Sequence, residues 1–454
     1  MHTSLRGWLD HLQCTGRLAM AKPGMQLRHG VAGLANRLAG DNAALFPRPD
    51  GHPVPVVANL LGDRTWIAEA MGVEPGDVLA AYGRACTNPR PLCEVSAAPC
   101  QEVVHRDVDL ERQLPIPTHN EFDSGAYITA GLLITRGPSG QNVSIHRLQV
   151  SGPDRLGALL LPRHTLALFA ERERAGEDLD VAVVIGVDPL TLLASQAIVP
   201  LGQDELEIAG ALHGADLPVT RCVTNDLLVP AEAEFVLEGR LLASTREPEG
   251  PFGEFPQYYG PRDDRHVIAV DAVTHRKEPI YHTIVGGGLE HLLLGAVPRE
   301  ASFLTQLRRS FPCVRDVHLS MGGTCRYHLH VQVANHAPGE AKNVMLGALA
   351  LHYDVKHVTV VDTDVDVHDP ADVEWAVATR FQADRDLLVV SAAQGSKLDP
   401  STDDGIGARM GLDATVPADA APSTFTRIRV PGEAELDLVT LTGAAPADWQ
   451  DAIR

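Results

Sequence analysis

Between Tyr127 and about residue 285 the chain is a succession of apolar runs cut by turn residues: YITAGLLITRG, QNVSIHRLQVSG, LGALLLP, DVAVVIGVD and HVIAVDAVTHR. Runs of this length, rich in β-branched residues and bounded by Gly, Pro and Asp, form strands. One helical stretch, residues 164–175, interrupts them. So many strands with so little helix point to a barrel or a sandwich, and this segment is the expected catalytic core.

The flanks read differently. Residues 1–88 mix a helical pattern (Trp66 to Met71) with strand-like pieces such as Val54 to Leu61, a small α/β unit. Residues 89–126 are rich in Pro and acidic residues, an extended connector that packs through Leu114, Ile116 and Tyr127. Beyond Gly286-Gly287-Gly288 come a helix-like stretch, the strand HLHVQVAN, a helix around 340–351 and the strand HVTVVD, a second α/β layer. At roughly 100–200 residues per domain, a chain of 454 residues holds two or three domains.

Composition narrows the function classes. With 44% hydrophobic and 21% charged residues the chain is a folded globular protein. A formal net charge of −21 argues against nonspecific nucleic-acid binding. It also means that any site for an anionic substrate needs its own local cations, Arg foremost. The seven cysteines have neither CxxC nor paired Cys/His spacing. Cys86, Cys93 and Cys100 recur every seven residues, but Pro89, Pro91 and Pro99 forbid one continuous helix through them. Buried free thiols in a reducing cytoplasm are expected. The opening MHTSLRGWLDHLQ is no secretory signal, and apolar runs such as Val181 to Val187 stop far short of the roughly twenty residues of a membrane helix.

Three suggestive patterns fall short. Asp362, Asp364 and Asp366 imitate a calcium loop but lack its glycine and final glutamate, Val367 and Val373 standing there. Gly286 to Gly288 sit in no phosphate-binding motif and form a flexible corner. His328 and His330 share a strand face and are expected to be structural.

EGPFGE, residues 249–254, is more informative. Glu249 and Glu254 flank a Gly-Pro-Phe-Gly turn that fixes their positions and lets the backbone approach a flat ligand. Two neighbouring carboxylates repel, so one tends to keep a proton at neutral pH unless a cation intervenes, which is what a general acid needs. The competing reading is an exposed acidic loop. In NVSIHR, Asn142 stands five residues before Arg147, so an ideal strand puts them on opposite faces. One can then hold an ion while the other faces a substrate, provided a bulge or bend brings both to one site.

Together DSGAYITAG, NVSIHRLQ, LLLPRH, DELEIAGAL, VPAEAEFVLEG, EGPFGE and MGLDAT resemble, in order and over about residues 100–420, the UbiD family of prenylated-FMN-dependent decarboxylases. The resemblance implies a mixed α/β (α+β) fold with an N-terminal α/β region (1–100), a split β-barrel flavin domain (101–295) and a C-terminal α/β domain (296–454) through which homodimers or larger homo-oligomers assemble. It implies Asn142, His164 and Glu205 as ligands of Mn2+ (or Mg2+) beside the flavin phosphate, a donor set that suits a borderline cation. It implies backbone carbonyls of Val143, Ala194, Ser195 and Ala197 around K+. The run Asn142, Val143, Ser144, Ile145, His146 and Arg147, with Arg163, His164, Ser195, Glu205 and Arg409, lines the flavin. Arg147, Glu249 and Glu254 match the family's catalytic network, with Arg147 docking the substrate carboxylate and Glu254 donating the proton.

The implied reaction is reversible, non-oxidative decarboxylation of an aromatic, heteroaromatic or α,β-unsaturated acid, with a flavin prenyltransferase supplying the cofactor. Around the substrate, Glu290 and His291 of VGGGLEHLLLG line the pocket, or Glu290 merely starts a helix at the positive end of its dipole. Phe252, Phe255, Tyr258 and Tyr259 are the candidate pocket aromatics. Two other readings stay open: an FMN oxidoreductase, for which no dinucleotide fingerprint is present, and a noncatalytic flavin-binding scaffold, which has no need of Arg147, Glu249 and Glu254 together.

Overall fold

The middle of the chain closes on itself. In the computed structural model, which describes residues 3–421 and 423–443, six strands form an antiparallel barrel: β1 Tyr127–Gly137, β2 Gly140–Gly152, β3 Arg155–Ala158, β4 Leu179–Ile185, β5 Phe235–Glu249 and β6 Asp263–His275. The order is β5-β4-β1-β2-β3-β6, and β6 pairs back onto β5, so no edge is left open. The strand Val103–His105 adds to the outside of β6.

Both barrel faces are covered, which is why these strands read as nearly unbroken apolar runs. In β4, Leu179, Val181, Val183 and Ile185 enter one core cluster, while Ala182 and Val184 enter another on the opposite face. β1 breaks this alternation. Ile128 pairs with Leu148 and Gly131 with His146, so Thr129 and Ala130 both stand opposite Arg147, a β-bulge. Its effect is visible in the packing: Ile128 joins Leu133 in one cluster, whereas Ala130, Leu132 and Ile134 join the other.

Helices cover the barrel. α1, His164–Arg174, follows β3, as the sequence predicts. Two more, Pro189–Ala194 and α2 Glu205–His213, were not predicted: their apolar residues are buried almost all round and carry no amphipathic stripe. Their starts are set by Asp188 and Asp204, whose carboxylates accept N–H groups of the first turn.

The N-terminal region is completed from far along the chain. Its sheet runs Leu18–Met20, Ala43–Phe46, Val56–Ala58 and then Tyr281–His282, the last strand arriving only after the barrel. α3, Leu289–Ser310, leads on to a five-stranded sheet in the order Val314–Leu319, His328–Val333, His357–Asp362, Ile406–Asp413, Leu387–Gln394. Phe303, Leu304 and Leu307 of α3 and Val344, Met345 and Ala348 of α4, Glu340–Leu351, share its core. Arg64 ties the N-terminal region to α3 through two 2.7 Å bonds to the buried Glu300.

Residues from Val416 onward form a second unit, described here only by a 3-10 turn at Glu433–Glu435 and a one-turn helix at Leu438–Leu441. Residues 444–454 of the expected C-terminal domain lie outside the described residues. Among the described residues no helix is long and apolar enough to cross a membrane. All seven cysteines are free thiols, four of them buried. The aspartates of 362–366 form no ion cage: Arg380 pairs with Asp362 at 3.5 Å and with Asp364 at 3.1 Å. His330 Nδ1 donates to the Val367 carbonyl, and burial pushes the imidazole down to about 4.

Candidate active site

β5 ends on Glu249, and the chain turns back at once through Gly250 and a cis Pro251. Only glycine fits at 250: its φ is +89°, and a Cβ there would stand 2.8 Å from the Pro261 carbonyl oxygen. Phe252–Gly253 then pairs with Tyr259–Gly260, and Glu254 follows with its N–H on the Tyr258 carbonyl. Into this hairpin comes Arg147 from β2. Its Nη2 donates to Glu249 Oε2 at 2.9 Å and its Nη1 to Glu254 Oε1. Glu249 is 0% and Glu254 8% exposed, which removes the exposed-loop reading.

The two acids are not equivalent. Glu249 Oε1 also accepts the Tyr127 hydroxyl at 3.0 Å, and the neighbouring Gln149 Oε1 accepts the Gly250 N–H at 3.0 Å. Burial raises the Glu254 carboxyl above its ordinary range, against the pull of Arg147 and with help from Glu249. Burial also opposes the Arg147 charge, but Glu254 and Glu249 outweigh it and hold the guanidinium above its usual range. The Phe252 ring lies under the guanidinium, 5.3 Å from its carbon. The arrangement is a fixed cation between one carboxylate anchored by a second donor and one that burial holds above its ordinary range.

The other face of β2 carries a second set. Asn142, Ser144 and His146 line up, Ser144 Oγ lying 3.0 Å from His146 Nε2. The start of α1 brings His164 Nδ1 to 3.1 Å from Asn142 Oδ1, and Thr165 Oγ1 accepts from Asn142 Nδ2 at 3.2 Å. Glu205, at the start of α2, accepts the Val143 N–H at 2.7 Å. Asn142 and Arg147 do keep opposite faces, and the required irregularity sits in β1, as the bulge opposite Arg147.

Burial pushes Glu205 up to about 8, Asp204 adding to it. Burial, then Arg163, lowers His164, leaving a neutral imidazole. Among the described residues no group of three His, Cys, Asp or Glu side chains is arranged to hold a metal. The Asn142–His164–Glu205 set is two such side chains and an amide, and its buried, proton-hungry carboxylate is what a cation would relieve, so these residues fit a divalent ion. Of the carbonyls considered for potassium, Ala194 accepts the Ala197 N–H and Ser195 the Gln196 side chain, each keeping a second lone pair. Val143 and Ala194 share one core cluster, with Ala197 at its margin and Ile145 beside it.

Some expectations need correction. Glu290 does not line a pocket: in the first turn of α3, its oxygens accept the N–H groups of Asn59, Leu60 and Leu61 at 2.9, 2.8 and 3.2 Å. Arg409 is committed in part: its Nη atoms donate to the carbonyls of Leu349, His352, Tyr353 and Gln394, while its Nε keeps no protein partner among the described residues. Tyr258 and Tyr259 are exposed, Tyr259 packing edge-on to Phe122. Gly286 is a packed corner rather than a flexible one, because a Cβ there would meet the Gly253 carbonyl oxygen at 2.5 Å.

Phe255 opens a feature that the sequence hid. One residue beyond Glu254, it packs with Leu292 and Ala296 of α3, and the Arg326 guanidinium lies over its ring at 5.4 Å. Arg326 Nη1 donates to the Leu292 and Cys325 carbonyls, and Arg299 Nη1 to the Gly295 carbonyl. Burial, then Arg326, pushes Arg299 down to about 9, with Asp354 3.9 Å away. Burial lowers Arg326 as well. His291 Nδ1 accepts the Gly287 N–H at 3.1 Å, and burial with these two arginines takes the ring down to about 3. Arg163 borders the group, its Nη2 2.9 Å from His352 Nε2 and 3.4 Å from the Tyr353 hydroxyl. Arg299, Arg326 and Thr165 lie in no motif, Tyr127 lies in DSGAYITAG but reads there only as a packing residue, and lone arginines in the sequence give no warning that three will gather.

Three models of one family match the chain: the N-terminal domain of 3-octaprenyl-4-hydroxybenzoate carboxy-lyase at residues 9–86, its Rift-related domain at 93–289 and its C-terminal domain at 292–414. The anhydromevalonate phosphate decarboxylase of Methanothermobacter thermautotrophicus is 39% identical over 83% of this chain and 88% of its own. The UbiD-class enzyme HmfF from Pelotomaculum thermopropionicum, solved with FMN, superposes with a TM-score of 0.95 at 48% identity, covering 97% of this chain and all of that one. An evolved dimeric form of HmfF, solved with prFMN, gives 0.91 at 45% identity over 97% of this chain and all of that one.

Proposed function

The chain belongs to the UbiD family of carboxy-lyases, and from that premise we propose that it decarboxylates, reversibly and with prenylated FMN, an aromatic, heteroaromatic or α,β-unsaturated acid carrying a second anionic group. That second anion is called for by Arg299 and Arg326, two largely enclosed guanidiniums with lowered proton affinity, Arg326 lying over the ring of Phe255, the residue next to Glu254. Asp354, 3.9 Å from Arg299, offsets only part of two such charges, and enclosed cations are costly unless a bound anion compensates them. A relative that acts on a phosphate-bearing acid, by its name, supports the same class.

Prenylated FMN, when bound, supplies a sink for the electron pair left by the departing carboxylate. Asn142, His164 and Glu205 would hold a divalent cation, Mn2+ or Mg2+, to offset the charge of the flavin phosphate, with Arg163 as a further cation, and the carbonyls of Val143, Ala194, Ser195 and Ala197 would hold K+. Arg147 docks the reacting carboxylate, and Glu249 keeps the guanidinium aimed. The C–C bond breaks, carbon dioxide leaves uncharged, and Glu254 gives its proton to the carbon left behind. In reverse Glu254 takes that proton back, and the direction follows the carbon dioxide supply. Arg299 and Arg326, with the neutral His291, receive the second anion and fix which carbon faces Glu254.

The proposal keeps the domain limits 1–100, 101–295 and 296–454, a homodimer or larger homo-oligomer, a flavin prenyltransferase as cofactor supplier and a cytoplasmic setting. The test is to coexpress the chain with a flavin prenyltransferase, purify it anaerobically, and read the mass and absorbance of the released flavin. A panel of mono- and dianionic unsaturated and heteroaromatic acids is then assayed for carbon dioxide. Prenylated FMN with release from dianionic acids is expected. Plain FMN persisting beside an active prenyltransferase, or release from monoanionic acids alone, overturns it.

A further inference from the structure

Tyr127, on β1, is 0% exposed, its ring against Phe252 with centroids 4.4 Å apart. Its hydroxyl oxygen lies 3.0 Å from Glu249 Oε1, 3.1 Å from Ser124 Oγ and 3.2 Å from Gln149 Oε1. A phenol has one proton to give. The nearer, charged acceptor takes it, because Gln149 Oε1 already accepts the Gly250 N–H. The Ser124 hydroxyl then donates to the phenol oxygen, making a chain Ser124 to Tyr127 to Glu249 in which each bond polarises the next.

This chain is the asymmetry of the acid pair. Arg147 serves both acids, through one nitrogen each. The phenol serves only Glu249. Other charged groups around the turn are engaged elsewhere: Asp123 accepts the N–H groups of Asn120 and Gly253, and Arg262 reaches the Gly250 carbonyl at 3.4 Å.

We propose that Tyr127 is a positioning residue: by donating to Glu249 it keeps that acid ionised and leaves the one proton of the pair on Glu254. The inference rests on the reading of Glu254 as proton donor. A hydrogen bond to an ionised acceptor favours the ionised form about ten- to a hundredfold. Without it, the proton divides between two coupled acids. The pair then binds its proton more tightly as a whole, while a smaller share sits on Glu254. The alkaline limb of kcat moves to higher pH even as the plateau falls. Mere loosening of the hairpin lowers the plateau and leaves the limb in place.

The experiment takes the flavin-loaded enzyme with Tyr127→Phe and, separately, Ser124→Ala, and measures kcat against pH, with flavin content checked by absorbance. Tyr127→Phe is expected to lower the plateau roughly 3- to 30-fold and shift the alkaline limb up by about half a pH unit or more; Ser124→Ala gives a smaller shift of the same sign. A lowered plateau with an unmoved limb, or a wild-type profile for Tyr127→Phe, overturns the proposal. Should Tyr127→Phe fail to load flavin, Ser124→Ala decides alone: a moved limb supports the role and an unmoved one refutes it. Glu254→Gln is run beside them. If it still turns over, the donor assignment itself fails; if it is inactive while the limb stays put, only the role of Tyr127 is lost.

Discussion

Replacing Arg299 with Met should separate substrate recognition from stability. Arg299 falls well below the usual arginine range, to about 9, on burial beside Arg326. At about 1.4 kcal/mol per tenfold change in proton affinity, that is on the order of 5 kcal/mol of unfavourable surroundings for its charge. An anion about 4 Å away, at an effective dielectric constant of about 20, recovers about 4 kcal/mol. Binding a dianion thus removes most of the penalty, and without Arg299 that gain shrinks to what Arg326 alone supplies. We expect kcat/KM for the dianionic acid to fall about 30- to 150-fold in Arg299→Met, or roughly 2–3 kcal/mol. The same acid with its second anionic group masked as a neutral amide should change less than about threefold. The free enzyme should melt within a few degrees of wild type, since loss of a poorly solvated charge offsets loss of the 3.9 Å contact to Asp354. Initial rates on the matched pair of acids, with a thermal melt of both proteins, are the assay. An equal loss on both acids, or a melting point several degrees lower, refutes the reasoning.

Glu254→Gln should retain its flavin absorbance and lose at least about 100-fold in carbon dioxide release, the usual worth of a general acid. Glu205 predicts an unusual pH dependence. Its folded value of about 8 lies above the unfolded 4.5, so the metal-free protein binds the extra proton and loses stability as pH rises from about 4.5 to about 8, by up to about 1.4 kcal/mol per pH unit. Saturating Mn2+ should reverse that decline, and Glu205→Gln should flatten it and abolish the Mn2+ response; denaturant titrations at several pH values check both. Arg64→Met strands the buried Glu300 carboxylate and should cost about 3–5 kcal/mol in urea unfolding, part of which Arg64→Met/Glu300→Gln regains.

What the sequence disclosed was local. EGPFGE singled out its acids because turn glycines are a short-range rule, the resemblance to the UbiD family supplied Arg147 as their partner, and the structure joins the three. The helix around 340–351 was legible for the same reason. What stayed hidden was long-range. Glu290 could be read as a pocket residue or as a helix start because nothing near it in sequence shows that its partners are residues 59–61. Nothing beside Arg409 in sequence shows that carbonyls of the loop after α4 engage its Nη atoms. The bulge in β1 depends on register against β2, which YITAGLLITRG alone does not encode. The helix at Glu205 escaped because burial on nearly every side erases the stripe by which a helix is recognised.

The strand Tyr281–His282, last in the N-terminal sheet, sets an order of events at the ribosome. Val56–Ala58 emerges early and has no neighbour on that side until the whole barrel has been made. At roughly 5–20 residues per second, that wait is about ten to forty seconds. Through it the nascent chain carries apolar surface that the finished protein seals completely, Val56, Val57 and Ala58 being fully buried. Translation speed across the barrel segment, and the chaperones within reach of the exit tunnel, therefore act on a strand that is complete long before its last partner exists.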